Sequence, residues 1–146
     1  MVALEFDALR LEYLNKPEFQ LSTLNLLRCL PTLRTLAPEG FILDMGGDTL
    51  FRPDTDNDAR LANINGFKAA CAAAVVLLAA TKAVVLTRYV SVKGGIQSAF
   101  EADWTHWQRF GAPRWKECAD IALDTSSLDP IQVAAEIELR LKAGSS

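Results

Sequence analysis

This sequence has little that binds a phosphate or a metal on sight. It contains no Gly-x-x-x-x-Gly-Lys, and none of its eight glycines is followed by lysine. That removes the usual run of loop amides and the lysine that together neutralise β- and γ-phosphates. There is no Cys-x-x-Cys pair, and the lone His106 has no second ligand nearby in sequence, so a structural role is expected for it. Cys29, Cys71 and Cys118 lie in apolar or helical stretches, as the buried reduced thiols of a cytosolic protein do. No basic block is present: 15 basic against 18 acidic residues leave a net charge of -3, which excludes a nucleic-acid footprint. No charged leader opens the chain, and the longest apolar run, Ala69 to Ala80, is too short to cross a bilayer. A soluble, cytoplasmic protein without membrane or nucleic-acid partners is the expectation.

What is present is an alternation of strand and helix patterns without repeat or linker. The 146 residues, half of them apolar, suit one domain that buries about two-thirds of its unfolded surface. Val2 to Phe6 reads as a short strand ending at Asp7. Ser22 can cap a helix bearing Leu24, Leu26, Leu27 and Leu30, which Pro31 kinks and Pro38-Glu-Gly40 closes. Phe41-Ile-Leu43 is a second strand running into Asp44-Met-Gly-Gly-Asp48, and Thr49 to Asp58 is polar and turn-rich, a mobile surface segment. Ala59 to Ala72 is helical, and Ala74 to Leu78 is an apolar strand of the kind buried on both faces. Thr81 can cap a helix that Lys93-Gly-Gly95 ends. Residues 96–111 mix Phe100, Trp104, Trp107 and Phe110 with charge, as a lid does. Ala119 to Leu123 is the last strand. Asp129 then caps a helix with Pro130 in its first turn and an apolar stripe of Ile131, Val133, Ala134, Ile137 and Leu141. This order predicts a single α/β domain over residues 1–146: a three-layer, mostly parallel sheet with helices on both faces.

Several residues could carry chemistry, and each has a plainer role beside the functional one. Asp7, just after a strand, can position Mg²⁺ or take a proton from an acceptor, or it can simply cap the following helix. Asp44, Gly46, Gly47 and Asp48 can hold a hydroxylated acceptor, because glycines admit a close backbone and carboxylates accept from hydroxyls; a tight turn explains them equally. Arg52, Arg88, Arg109 and Arg114 are the cations available for phosphate charge, or ordinary surface ion-pair partners. The aromatic residues of 96–111 fit a core better than a base-stacking platform.

From Phe6 to Leu141 the order of these motifs resembles the small P-loop kinases of the shikimate kinase and gluconate kinase type. Phe6-Asp7 matches that family's acidic strand end, and Asp44-Met-Gly-Gly-Asp48 its glycine-rich acceptor loop. Val75 to Arg88 matches the strand and helix leading to the lid, and Pro113-Arg-Trp-Lys-Glu-Cys-Ala-Asp120 the helix before the last strand. The chain departs from the pattern at Leu9, where the family has a second Asp, and at Gly111, where an arginine is expected and Arg109 or Arg114 would have to substitute. The family's first strand and phosphate-binding loop would fall before Met1. The resemblance implies ATP-dependent phosphorylation of a small hydroxylated metabolite or nucleoside, with ATP and Mg²⁺ for a form that carries the phosphate-binding loop. Asp7 would serve at the metal and in catalysis with Arg109 and Arg114. Asp44, Gly46, Gly47, Asp48 and Arg52 would bind the acceptor; Arg88, Thr125, Ser126 and Ser127 would bind the nucleotide. The family's missing strand lies mid-sheet, so the strands at Asp7 and Asp44 would be separated from those at Val75 and Ile121; they must then pair directly or leave unpaired edges, through which self-association is expected. The other reading is a degenerate, non-catalytic binding or interaction protein.

Overall fold

The computed structural model describes residues 2–5, 35, 38–44 and 50–144. Asp7, Gly46, Gly47, Asp48, Cys29 and the helix expected after Ser22 lie outside the described residues. Within them the chain is α/β with parallel strands. The order is β1 (Val2–Glu5), β2 (Phe41–Asp44), α1 (Asn57–Cys71), β3 (Val76–Ala79), α2 (Lys82–Lys93), α3 (Gln97–His106), a π-helical turn (Trp107–Gly111), α4 (Ala112–Cys118), β4 (Ile121–Asp124) and α5 (Pro130–Gly144). β1 pairs with β2 and β3 with β4, both in parallel; among the described residues no ladder joins the two pairs.

The segment expected to be mobile is instead the centre of the core. Leu50 and Phe51 are fully buried, and Phe51 meets Trp115 edge-to-face at 5.4 Å. Around them pack Leu61 and Ile64 of α1, Leu77 of β3 and Cys118 of α4, with Leu43 of β2 against the same cluster. The polar residues that follow are held, not loose. Arg52 donates its amide to Asn57 Oδ1 and accepts from Asn57 Nδ2 and Thr55 Oγ1 through its carbonyl, while Arg60 donates to the Leu50 carbonyl. Two apolar side chains outweigh the polar run after them because burying each is worth about 1.5–3 kcal/mol.

α1 begins two residues before the expected Ala59, because Asp56 accepts from the Ala59 amide. It stops at Ala72, whose φ of 48° places an alanine in the left-handed conformation that glycine ordinarily takes. The long apolar run is thereby cut into a helix end and β3. β3 is covered on one side only: Leu77 is buried and Leu78 is 51% exposed, so the expected burial on both faces does not hold. Asp129 caps α5 as expected, and reciprocally: the Gln132 amide donates to Asp129 Oδ1 and the Asp129 amide to Gln132 Oε1. The stripe on α5 is not a core face, however, since no residue of α5 is buried and Ile131 is 81% exposed. The helix packs on β4, with Leu123, Leu128, Ala135 and Leu139 lining the shallow groove between them.

Residues 97–111, in the segment read as lid-like, form α3 and the π turn. Phe100 is buried, lies 5.6 Å from Tyr89 of α2 and stacks on Trp104, so these aromatics serve as core. Gly95 permits this packing, since a Cβ there would overlap the Tyr89 ring. The conformation of Ala72 sets a test: Ala72→Gly removes a left-handed strain of about 1 kcal/mol, partly offset by chain entropy, and should raise the unfolding free energy by roughly 0.5–1 kcal/mol. A urea melt showing a loss instead would place the helix end elsewhere.

Candidate functional site

The two ends of the β3–β4 pair are built differently. At the amino end Asp120 accepts from the Val75 amide at 2.8 Å and from Lys68 Nζ at 2.8 Å, and Lys68 also donates to the Cys118 carbonyl. Burial pushes the Asp120 carboxyl up, but its hydrogen bonds from Lys68 and the Val75 amide, with the Lys68 charge, win and hold it below its ordinary value. This is a structural clip that ties α1 and α4 to both strands. Burial raises the neighbouring Cys118 thiol, so Cys118 is protonated and inert at neutral pH. The clip has a pH signature. Its contribution is complete above the ordinary carboxylate value of 3.8 and disappears as pH falls through the depressed one. Asp120→Asn should therefore lower stability at neutral pH and flatten the denaturation profile between roughly pH 5 and pH 2. Parallel profiles for the two proteins would remove the clip from the account.

At the carboxyl end the turn after β4 closes over the end of β3. The Thr125 amide and Oγ1 both donate to the Ala79 carbonyl, at 2.7 and 3.0 Å. Asp124 accepts from the Ser126 amide and Oγ, and Ser126 Oγ in turn accepts from the Thr81 amide at 2.9 Å. These bonds from the Ser126 hydroxyl and then its amide hold the Asp124 carboxyl below its ordinary range and keep it ionised. Arg88 reaches from α2 with both arms of its guanidinium, to the Thr125 carbonyl at 2.8 Å and to Thr125 Oγ1 at 3.2 Å. Thr81 precedes α2 but makes no side-chain cap; its amide serves the turn instead, correcting the expected capping role.

Of the residues singled out in sequence, Arg88, Thr125, Ser126 and Ser127 therefore come together at the carboxyl edge of a parallel pair, where open α/β sheets bind ligands. Ser127 is exposed in the same turn. Asp44 ends β2 and is exposed; the register sets Glu5, the last residue of β1, beside it. Arg52 pairs with Asp54 at 3.5 Å. Arg114 bridges Asp58 of α1 at 2.6 Å and Glu117 at 3.5 Å. Arg109 lies in the π turn with its guanidinium 5.1 Å from the Phe110 ring centre, and His106 touches the same ring. Thr81 was read only as a helix cap and Asp124 was not singled out; the signal for Asp124 was its place at the strand end before Thr-Ser-Ser, an Asx-turn pattern.

The turn does not fit a triphosphate. The amides of Thr81, Thr125 and Ser126 are all donated within the protein, and both arms of Arg88 are engaged. Of Arg52, Arg88, Arg109 and Arg114, Arg109 is the one whose guanidinium has no oxygen partner among the described residues. Among the described residues no three His, Cys, Asp or Glu side chains converge as metal ligands. Arg88 has a separate test as a brace. Arg88→Met should increase amide exchange at Thr125 and Ser126 and cost about 1.5–3 kcal/mol, the size of hydrogen bonds made by a charged group. Exchange unchanged at both amides would show that the strands alone hold the turn.

No protein-family model, curated protein or solved structure matches this chain.

Proposed function

We propose that the chain is a phosphotransferase domain of the P-loop small-molecule kinase type, a three-layer α/β unit. Joined to a phosphate-binding loop, it phosphorylates a small hydroxylated metabolite or nucleoside with ATP and Mg²⁺. The observation that carries the reading is the parallel β3–β4 pair whose carboxyl edge gathers Thr81, Arg88, Asp124, Thr125 and Ser126 into one hydrogen-bonded turn. In this reading the turn frames the edge of the nucleotide site without touching phosphate. The acceptor lies toward Asp44 with Gly46, Gly47 and Asp48, and Asp7 supplies the acid at the acceptor or metal. The two unjoined ladders also support it, since among the described residues β2 and β3 each pair on one side, leaving an edge on which a further strand, or a second copy of the chain, can pair.

A second reading, a non-catalytic binding protein, is favoured by one specific observation: Arg52, Arg88 and Arg114 already have acceptors. Calorimetric titration with Mg-ATP separates the two in stages. The chain alone should bind no tighter than the millimolar range, because the Thr81, Thr125 and Ser126 amides of the turn are already donated within the protein. A micromolar constant would show a phosphate site elsewhere in these residues and overturn the reading. Joined to a segment bearing Gly-x-x-x-x-Gly-Lys-Ser, the chain should transfer the γ-phosphoryl group to a hydroxylated acceptor; tight Mg-ATP binding with no transfer across an acceptor panel would favour the binding protein.

A further inference from the structure

The outer edge of β4 is occupied by a side chain. In a parallel ladder one residue turns its N–H and C=O to the same neighbouring strand, and the next residue turns both away. The Ile121 amide donates to the Val75 carbonyl and the Thr125 amide to the Ala79 carbonyl, so Ile121, Leu123 and Thr125 address β3. Ala122 and Asp124 therefore aim their backbone groups at the far edge, where no further strand lies among the described residues. Ala122 is exposed. An edge of this kind is a template on which another chain can pair.

Arg140 of α5 fills that position. Its Nη1 donates to the Ala122 carbonyl at 3.1 Å, while its Nε donates to Glu136 Oε1 at 2.7 Å, one turn back on the same helix. A planar fork with one arm on its helix and another on the strand has little freedom to swing aside. The packing of α5 on β4 through Leu123, Ala135 and Leu139 delivers the guanidinium to the edge. An incoming strand needs the Ala122 carbonyl as acceptor for one of its own amides. To reach it, that strand would have to displace Arg140 and leave Glu136 without its partner. Lys142 carries the same charge in the same turn, but its pair with Glu138 at 2.7 Å lies in solvent. β3 is different in kind: from Ala69 to Thr81 the sequence holds no charged residue.

We propose that Arg140, held by Glu136, is an edge guard that occupies the hydrogen-bonding position at Ala122 and stops a second copy of this chain from adding to β4. Strand addition is thereby confined to the β3 side of the pair, where Val76 and Leu78 turn their backbone groups outward. Phosphate plays no part in the contact, so the guard acts alike in a kinase and in a binding protein.

The experiment is sedimentation of the full chain over a concentration series, combined with hydrogen exchange read at single amides. Arg140→Ala should lower the concentration at which the chain associates by about tenfold or more, the scale of one hydrogen bond returned to the edge. As it associates, the amides of Ala122 and Asp124 should gain protection. Lys142→Ala removes the same charge and should sediment like the parent. Adding Ala122→Pro to Arg140→Ala should restore the parent's behaviour, because proline deletes an amide that β3 does not use and blocks the edge. If the proline variant does not fold, protection at Ala122 and Asp124 decides alone. Glu136→Gln loosens the fork and should shift association the same way by less; it serves if Arg140→Ala does not fold. A folded Arg140→Ala that associates no more than the parent overturns the proposal, as does equal association in Lys142→Ala or association that survives a folded Ala122→Pro. New protection confined to Val76 and Leu78 overturns it as well, and would leave Arg140 as a tether between α5 and β4.

Discussion

The contact of Phe51 with Trp115 is the constraint on which the rest of the described structure depends. It joins the segment after β2 to α4, and through Leu61, Ile64 and Leu77 it brings α1 and β3 to the same cluster. α4 ends where Asp120 meets Lys68 and Val75, so the seating of Trp115 also determines how β4 lies against β3. The turn at the far end of that pair inherits its geometry from this packing. A cavity at Phe51 would thus be felt at Thr125, at the opposite end of the strands, because close-packed interiors transmit displacement instead of absorbing it.

The division of labour between the two strand ends follows from chemistry as well as position. At the amino end a lysine and a carboxylate hold each other, and their bond is part of folding. At the carboxyl end the acidic group, Asp124, is engaged among the described residues by the hydroxyl and amide of Ser126 and carries its charge into solvent. Arg88 compensates nearby without pairing with it, since its donors go to Thr125. The edge where ligands bind in such sheets therefore presents a negative group on a neutral, braced turn, which suits hydroxyl and amine donors better than phosphate oxygens.

Local signals were legible in the sequence and distant ones were not. The cap at Asp129 with Pro130 was readable because the donor and acceptor lie three residues apart, and the glycine stop after Lys93 for the same reason. The grouping of Arg88 with Thr125 and Ser126 came from the kinase resemblance and not from any local pattern in these residues. Leu50 and Phe51 were hidden by the polar residues after them, since composition over a window dilutes two apolar side chains. Thr81 was misread: its side chain makes no cap, and what it contributes is a backbone amide to the distant Ser126 Oγ, a partner that local rules do not reveal. The division of the described strands into two ladders was an expectation of the kinase resemblance, whose missing strand lies between them; no local pattern encodes it, because the partners are far apart in sequence. The π turn was half legible: Pro113 marks the place, but only the anchoring of α3 and α4 decides that the helix widens there rather than breaks.

The turn after β4 has one more consequence. Its polar groups satisfy one another before any ligand arrives, so the loop does not wait for a guest to become ordered. Whatever binds there meets a template already at its final entropy, and association is spared the ordering cost that flexible loops impose. Selectivity at such an edge comes from shape and from the orientation of fixed oxygens, and a guest that requires the loop to rearrange would have to break bonds that the protein has made with itself.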